Sequence, residues 1–273
     1  MKSAITTMLN ILRELYHKLC WSKECKQILQ NTESGVKASR FEDGTSFLIV
    51  LPHADDEWIG CCNLIRSSKY KVELCNADMK GGDTPKNHRA RRAETQNLAN
   101  TYHRPITILN DNKAETLRKK LEATKPDIVF IPYVIDWHPE HIEVIRILIQ
   151  ALDNMQIDWD LSVGMYQVTI PICQENVSHI CPASYSEWIN KWIIFRRIYA
   201  TQSHFPWFRV SRNELIQGKR FSCETCEVYC LMNYKSWKNK ITNYIPTKEI
   251  QQDMQLALPS IKNLFSIKQP RLL

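Results

Sequence analysis

Two short stretches of this chain hold most of what can do chemistry. One is Pro52-His53-Ala54-Asp55-Asp56-Glu57, a histidine followed closely by three carboxylates. The other is Asp136-Trp137-His138-Pro139-Glu140-His141, two histidines three residues apart with acids around them. Three acids crowded beside a histidine repel one another unless a cation or a proton neutralises them. Histidine and carboxylate together, with a position left open for water, suit a catalytic zinc or another divalent ion such as iron(II). A carboxylate beside such an ion can take a proton from water. A cationic histidine opposite can stabilise a developing oxyanion, worth about 3–4 kcal/mol per donor. Each motif alone has a blander reading. A His-x-x-His pair is often two surface histidines, and Asp-Asp-Glu at a helix start can serve the helix dipole and its cap. The argument rests on their conjunction.

That conjunction depends on the elements that carry them. The apolar run over 47–53 reads as a buried parallel strand, followed by a helix of about 56–68. A second strand is expected at 71–76, helices at 89–102 and 113–124, and a short strand at 106–109. The strand at 127–133 leads through a loop into a helix of about 140–152, and another strand follows at 163–168. Strands alternating with helices predict βαβ units, hence a Rossmann-like α/β fold: a mainly parallel sheet with helices on both faces. Both motifs then lie at the C-terminal ends of strands, where open α/β sheets hold ligands. If the two strands are near neighbours, the motifs form one cluster. The loop 78–87 holds Gly81-Gly82 and Pro85 and is expected to be mobile or shaped around something.

The flanks are less regular. Residues 4–21 place Ile5, Met8, Leu9, Leu12, Leu15, Tyr16 and Leu19 at three- and four-residue steps, an amphipathic helix. It either packs on the domain or lies in a membrane interface. Residues 22–44 read as a polar connector, so 1–45 form one unit and 46–205 the core. A helix is expected at 184–200, and 206–273 as an extension packed on the core.

Composition narrows the classes further. The chain has 273 residues, 44% of them hydrophobic, enough for a substantial core. Its 7 glycines form neither G-x-G-x-x-G nor a P-loop. The net charge of +7 fits an ordinary basic protein, an acidic membrane surface or a phosphate-bearing substrate. No dense basic block interleaved with aromatics is present, which argues against nucleic acid. The start lacks a signal-peptide core, no apolar run is long enough to span a membrane, and the 10 cysteines include the adjacent pair Cys61-Cys62. A reducing, cytoplasmic setting is therefore expected, with peripheral membrane association compatible with the first helix.

Pro52-His53-Ala54-Asp55-Asp56-Glu57 resembles the Pro-His-Pro-Asp-Asp-Glu signature of the PIG-L/LmbE-like de-N-acetylases. Asp136-Trp137-His138-Pro139-Glu140-His141 is similar to that family's Asp-x-His-Pro-Asp-His motif. Arg91-Arg92-Ala93-Glu94 resembles its Arg-x-x-Glu helix, and Tyr199-Ala200-Thr201-Gln202 weakly echoes a late Ser-Gln element. The resemblance covers roughly 46–205. It implies a zinc-dependent hydrolase, with iron(II) as the other candidate ion, that removes the N-acetyl group of an amino sugar in a GlcNAc-type glycoconjugate, glycolipid or polysaccharide precursor. It also implies that His53, Asp56 and His141 are metal ligands, Asp55 the general base, and His138 an aid at the tetrahedral intermediate. Arg91 is implied to hold substrate, and Asp111 lies near the place of a sugar-contacting acid. Two positions depart from the pattern: Ala54 stands for a proline, which puts the rigidity of the loop in question, and Glu140 for an aspartate. Neither is expected to be a ligand, and Glu57 is expected to support the site by capping or hydrogen bonding.

Trp58 and Trp137 flank the motifs, and either can stack on a sugar ring or pack in the core. Cys223, Cys226 and Cys230 can offer three thiolates to a structural zinc or be buried apolar residues. Two other functions stay open: an amide hydrolase acting on a non-sugar N-acyl compound, and a non-catalytic sugar- or lipid-binding protein.

Overall fold

The computed structural model describes residues 2–80, 83–109, 111–153 and 155–273, with only the backbone of 2–11. The expectation for Gly81-Gly82 and the side chains of Ile5, Met8 and Leu9 thus lie outside what is described.

Among the described residues seven strands form one sheet, in the order β3-β2-β1-β4-β5-β7-β6. They are β1 (Ser46–Leu51), β2 (Lys71–Asn76), β3 (Ile106–Ile108), β4 (Ile128–Pro132), β5 (Ser162–Tyr166), β6 (His179–Ala183) and β7 (Thr225–Asn233). The first five are parallel. The strand order runs outward in both directions from β1 and β4, which are hydrogen-bonded neighbours with Phe47 opposite Ile128. Their C-terminal ends are the topological switch point of the sheet. Successive β1 residues serve opposite faces, as a pleated strand requires. Leu48 and Val50 join one apolar cluster, and Phe47, Ile49 and Leu51 join the other. The sheet is therefore buried on both sides, as the continuous apolar run implied.

Among the described residues ten α-helices cover it: α1 (Lys2–Asn31), α2 (Asp56–Arg66), α3 (Pro85–Thr101), α4 (Lys113–Thr124), α5 (Pro139–Asp153), α6 (Tyr185–Ile198), α7 (Trp207–Arg220), α8 (Tyr234–Ile241), α9 (Lys248–Ala257) and α10 (Ile261–Phe265). Helix α3 starts four residues before its expected position. The Thr84 side chain accepts from the Asn87 amide, and Pro85 occupies the first turn, where a missing N–H costs nothing.

Two expectations about the flanks are corrected. Residues 22–31 are helix, not connector. Cys25 is buried against Ile216 and Ile261, and Glu24 accepts the Ile261 amide at 2.7 Å, which ties α1 to α7 and α10. Residues 206–273 do not merely pack on a finished core. They supply β7, antiparallel to both β5 and β6, so the sheet is incomplete without them. Cys226 and Cys230 lie on β7 and are buried among apolar side chains.

Candidate active site

The β1–β4 junction brings both motifs together. The rings of His53 and His138 lie 4.7 Å apart, and those of His138 and His141 lie 4.8 Å apart. Asp56 Oδ2 sits between two histidines, 3.2 Å from His53 Nδ1 and 3.5 Å from His141 Nε2. Donors bound to one tetrahedral ion at about 2.0–2.1 Å stand roughly 3.3–3.4 Å apart, so this spacing fits a divalent metal. The remaining ring nitrogens are also held. His53 Nε2 meets Glu140 at 2.5 Å, and His141 Nδ1 meets Asp136 at 3.0 Å. Each histidine thus has a carboxylate behind it, the arrangement that fixes tautomer and ring orientation in metal sites. His138 brings a ring nitrogen within 4.8 Å of those of His53 and His141. His53, His138 and His141 can thus offer ring nitrogens to one ion, and Asp56 Oδ2 lies between two of them.

Electrostatics follow from this crowding. Burial opposes charge on His141, yet Asp136 and Asp56 raise its pKa well above the ordinary range. His53 is raised against burial by its bonds to Asp56 and Glu140. Asp56, also buried, is held well below the usual carboxylate range by His141 and His53. Asp55 goes the other way: burial and the neighbouring Asp56 raise it well above that range, with Arg91 pulling against them. His138 differs from the cationic histidine expected. Burial and the two other histidines lower it to about 4. Its Nδ1 accepts from the Glu140 amide at 3.3 Å, so the neutral ring carries its proton on Nε2 and remains a donor.

Asp55 caps α2 with φ at 109°, a conformation side chains rarely adopt. Glu57 holds it there. Its Oε2 accepts the Asp55 amide at 3.0 Å, while Oε1 accepts the Tyr199 hydroxyl at 2.8 Å. The His53 amide donates to Asp56 Oδ2 at 3.1 Å, and the Met79 amide donates to the Pro52 carbonyl. The turn is pinned by hydrogen bonds, with alanine in place of proline.

The two weaker sequence elements meet on the same site. Arg91 approaches Asp55 at 3.8 Å and pairs with Asp83 at 2.8 Å. With its amide oxygen turned inward, Gln202 accepts from Arg91 Nε and Nη2 at 2.8 and 2.9 Å. Thr201 donates to Glu94 through both its amide and its hydroxyl. The short turn Ala200–Gln202, with Tyr199 before it, therefore braces α2 and α3 at once.

Three residues expected to touch substrate fare differently. Trp58 is 0% exposed, tilted against Tyr102, and donates to the Lys191 carbonyl at 2.9 Å. It is a core residue, part of the apolar cluster that includes Phe47, Ile49 and Leu51 of β1. Trp137 stays half-buried beside His138 and donates to Thr169 at 3.0 Å. Asp111 is exposed on the loop after β3, and no described contact ties it to the cluster.

Behind the site lies a feature with no sequence signal. Helix α2 breaks at Cys61, where φ is −136°. Ile59 and Asn63 would share a hydrogen bond in an unbroken helix. Here the Ile59 carbonyl accepts from Lys191 Nζ at 2.7 Å, and the Asn63 amide donates to Glu227 at 2.9 Å. Lys191 also pairs with Glu227 at 2.6 Å and with Glu214, all of them buried.

No protein-family model matches this sequence, and none of the curated proteins matches it. Solved structures do. N,N'-diacetylchitobiose deacetylase from Pyrococcus horikoshii matches at a TM-score of 0.57 and 17% identity, over 79% of this chain and 92% of that one. The 4-carboxy-2-hydroxymuconate hydratase of Pseudomonas putida matches at 0.56 and 14%, over 69% and 96%. Teicoplanin deacetylase in a zinc-inhibited form matches at 0.51 and 12%, over 69% and 98%. The chain has the fold of these enzymes. Since they include a hydratase, the fold alone does not choose the reaction.

Proposed function

We propose that the protein is a metal-dependent de-N-acetylase that hydrolyses the acetamide of an amino sugar in a glycoconjugate. One observation carries the reading: Asp56 faces two histidines at metal-donor spacing, each backed by its own carboxylate, with the acid Asp55 beside them. A zinc or iron(II) ion held by His53, Asp56 and His141 would supply Lewis acidity towards water and the amide carbonyl.

This chain's own groups supply the rest. Asp55 takes the proton of the attacking water and later returns it to the departing amine. Its burial suits a base that must carry a proton part of the time. Arg91 sets its orientation, and the Asp83 and Gln202 contacts hold Arg91 in turn. The Nε2–H of neutral His138 donates to the oxygen on which negative charge develops. Trp137 is the aromatic surface left at the site for a sugar ring. The deacetylases among the structures that share the fold support this reading over hydration.

The test is acetate release from a panel of N-acetylglucosaminyl compounds with added zinc or iron(II). Turnover that disappears in Asp55→Asn with metal content unchanged is the expected result. Metal bound without acetate release from any panel member counts against the reading. The burial of Trp58 favours a second reading, a non-sugar N-acyl substrate, because it removes one of two stacking surfaces. Unchanged turnover in Trp137→Ala would support that alternative.

A further inference from the structure

Seven large apolar side chains stand 46–71% exposed on two helices. Leu12, Leu15, Tyr16 and Leu19 follow the i, i+3, i+4, i+7 spacing on α1 and so share one face. Tyr185, Ile189 and Ile193 repeat every four residues on α6. The stripe on α1 is not its packing face. Trp21, Cys25 and Ile28 already hold that helix to Ile216 and Ile261. Single exposed apolar residues are ordinary, but two ordered stripes mark a contact surface.

The charges beside the stripes identify what it contacts. Arg13, Lys23 and Lys26 are exposed on α1, and Arg196 and Arg197 in the last turn of α6. The acids of these two helices are all engaged. Glu14 pairs with Lys18 at 2.6 Å, Glu24 caps α10, and Glu187 completes the capping box of α6. The helices meet over Trp207, with Lys18 Nζ 5.9 Å and the Arg196 guanidinium 5.6 Å from its ring centroid. Trp188, Ile189, Trp192, Ile193 and the two arginines line a cavity of about 400 Å³ there. An apolar slot with a cationic rim matches an acyl chain below an anionic headgroup.

We propose that α1 and α6 together dock the protein on an anionic lipid surface. Apolar side chains enter the boundary between headgroups and acyl chains, and the arginines and lysines meet the phosphates. No helix among the described residues is long and apolar enough to cross a membrane, so the contact is peripheral. A second copy of the chain is the weaker candidate, because it would set unpaired cations against their own kind. The surface adjoins the candidate site: α6 ends at Ile198, and Tyr199 follows it directly. That a lipid-borne amino sugar would be presented there rests on the deacetylase reading; the docking itself does not.

The test is sedimentation of the full chain with vesicles of phosphatidylcholine, alone or mixed with phosphatidylserine. Binding to the mixed vesicles, little to the neutral ones, and weakening by salt are expected. Leu15→Glu with Leu19→Glu should lower binding roughly tenfold or more, as should Ile189→Glu with Ile193→Glu. Arg196→Gln with Arg197→Gln should lower it roughly tenfold. All these positions are exposed, so unchanged thermal unfolding verifies the variants. Failure to bind either vesicle, equal binding to both, or full retention by either apolar variant overturns the proposal. So does a dimer in light scattering that the same variants abolish. None of these results touches acetate release from a water-soluble substrate, so the two readings fail separately.

Discussion

Lys191 and Glu227 pair at 2.6 Å inside the break of helix α2, and each takes over one end of a missing helical hydrogen bond. The ion pair is in this sense part of the helix. Because α2 begins at Asp56, directly after Asp55, the pair sets the pose of the acids from behind. Replacing Lys191 with methionine leaves Glu214 and Glu227 buried without a counter-charge. Such losses cost about 3–5 kcal/mol, and urea unfolding should show it. A loss below about 1 kcal/mol would mean the pair does not tie α2 down.

Glu214 gives the same cluster a pH signature. Burial raises its carboxyl to about 7, with Lys191 pulling it down and Glu227 pushing it up. The folded state therefore holds a proton that the unfolded chain releases at about 4.5. Stability should then fall as pH rises from about 4.5 to about 7, by up to about 1.4 kcal/mol per unit from this group. The difference in slope between the wild type and Glu214→Gln isolates it. Parallel curves for the two would refute the assignment.

Asp55 couples function to strain. At φ 109° it occupies backbone space that glycine adopts without penalty. Asp55→Gly should stabilise the fold by about 1–2 kcal/mol while removing the proposed general base. Turnover should drop about 10²–10⁴-fold in Asp55→Asn, with metal content intact. A destabilised Asp55→Gly variant would show that the turn is not under strain.

The carboxylates behind the histidines should govern metal affinity. Asp136→Asn and Glu140→Gln should each weaken zinc binding about 10–100-fold, measured by competition with a chelator. Excess metal should restore much of the lost turnover. Unaltered affinity in both would remove these acids from the metal's support.

The sequence showed the centre of the site more fully than its surroundings. His53, Asp55, Asp56, His138 and His141 stand out because motif and strand end coincide, and local sequence carries both. The role of Glu140 was missed. Its partner is His53, 87 residues away, and nothing local reports that contact. Sequence leaves Trp58 open between substrate stacking and core packing, because the face of α2 on which it falls depends on tertiary packing against Lys191 and Tyr102. Strand β7 was obscured because Glu227 interrupts its apolar pattern. That glutamate is tolerated there only through Lys191, Asn63 and Tyr229, none of them foreseeable from the strand itself. The start of α3 is legible in Thr84-Pro85, a capping threonine followed by a first-turn proline.

The brace formed by Tyr199, Thr201 and Gln202 has a consequence for how the site comes into being. Every candidate reacting group has left the ribosome once residue 141 has emerged. The residues that lock Glu57, Glu94 and Arg91 follow about 60 positions later, and β7 later still. Ordering of Asp55 is therefore a late, long-range event in folding, of the kind that slows assembly. A growing chain would gather its metal-binding groups first and be able to use them only after its second half arrives.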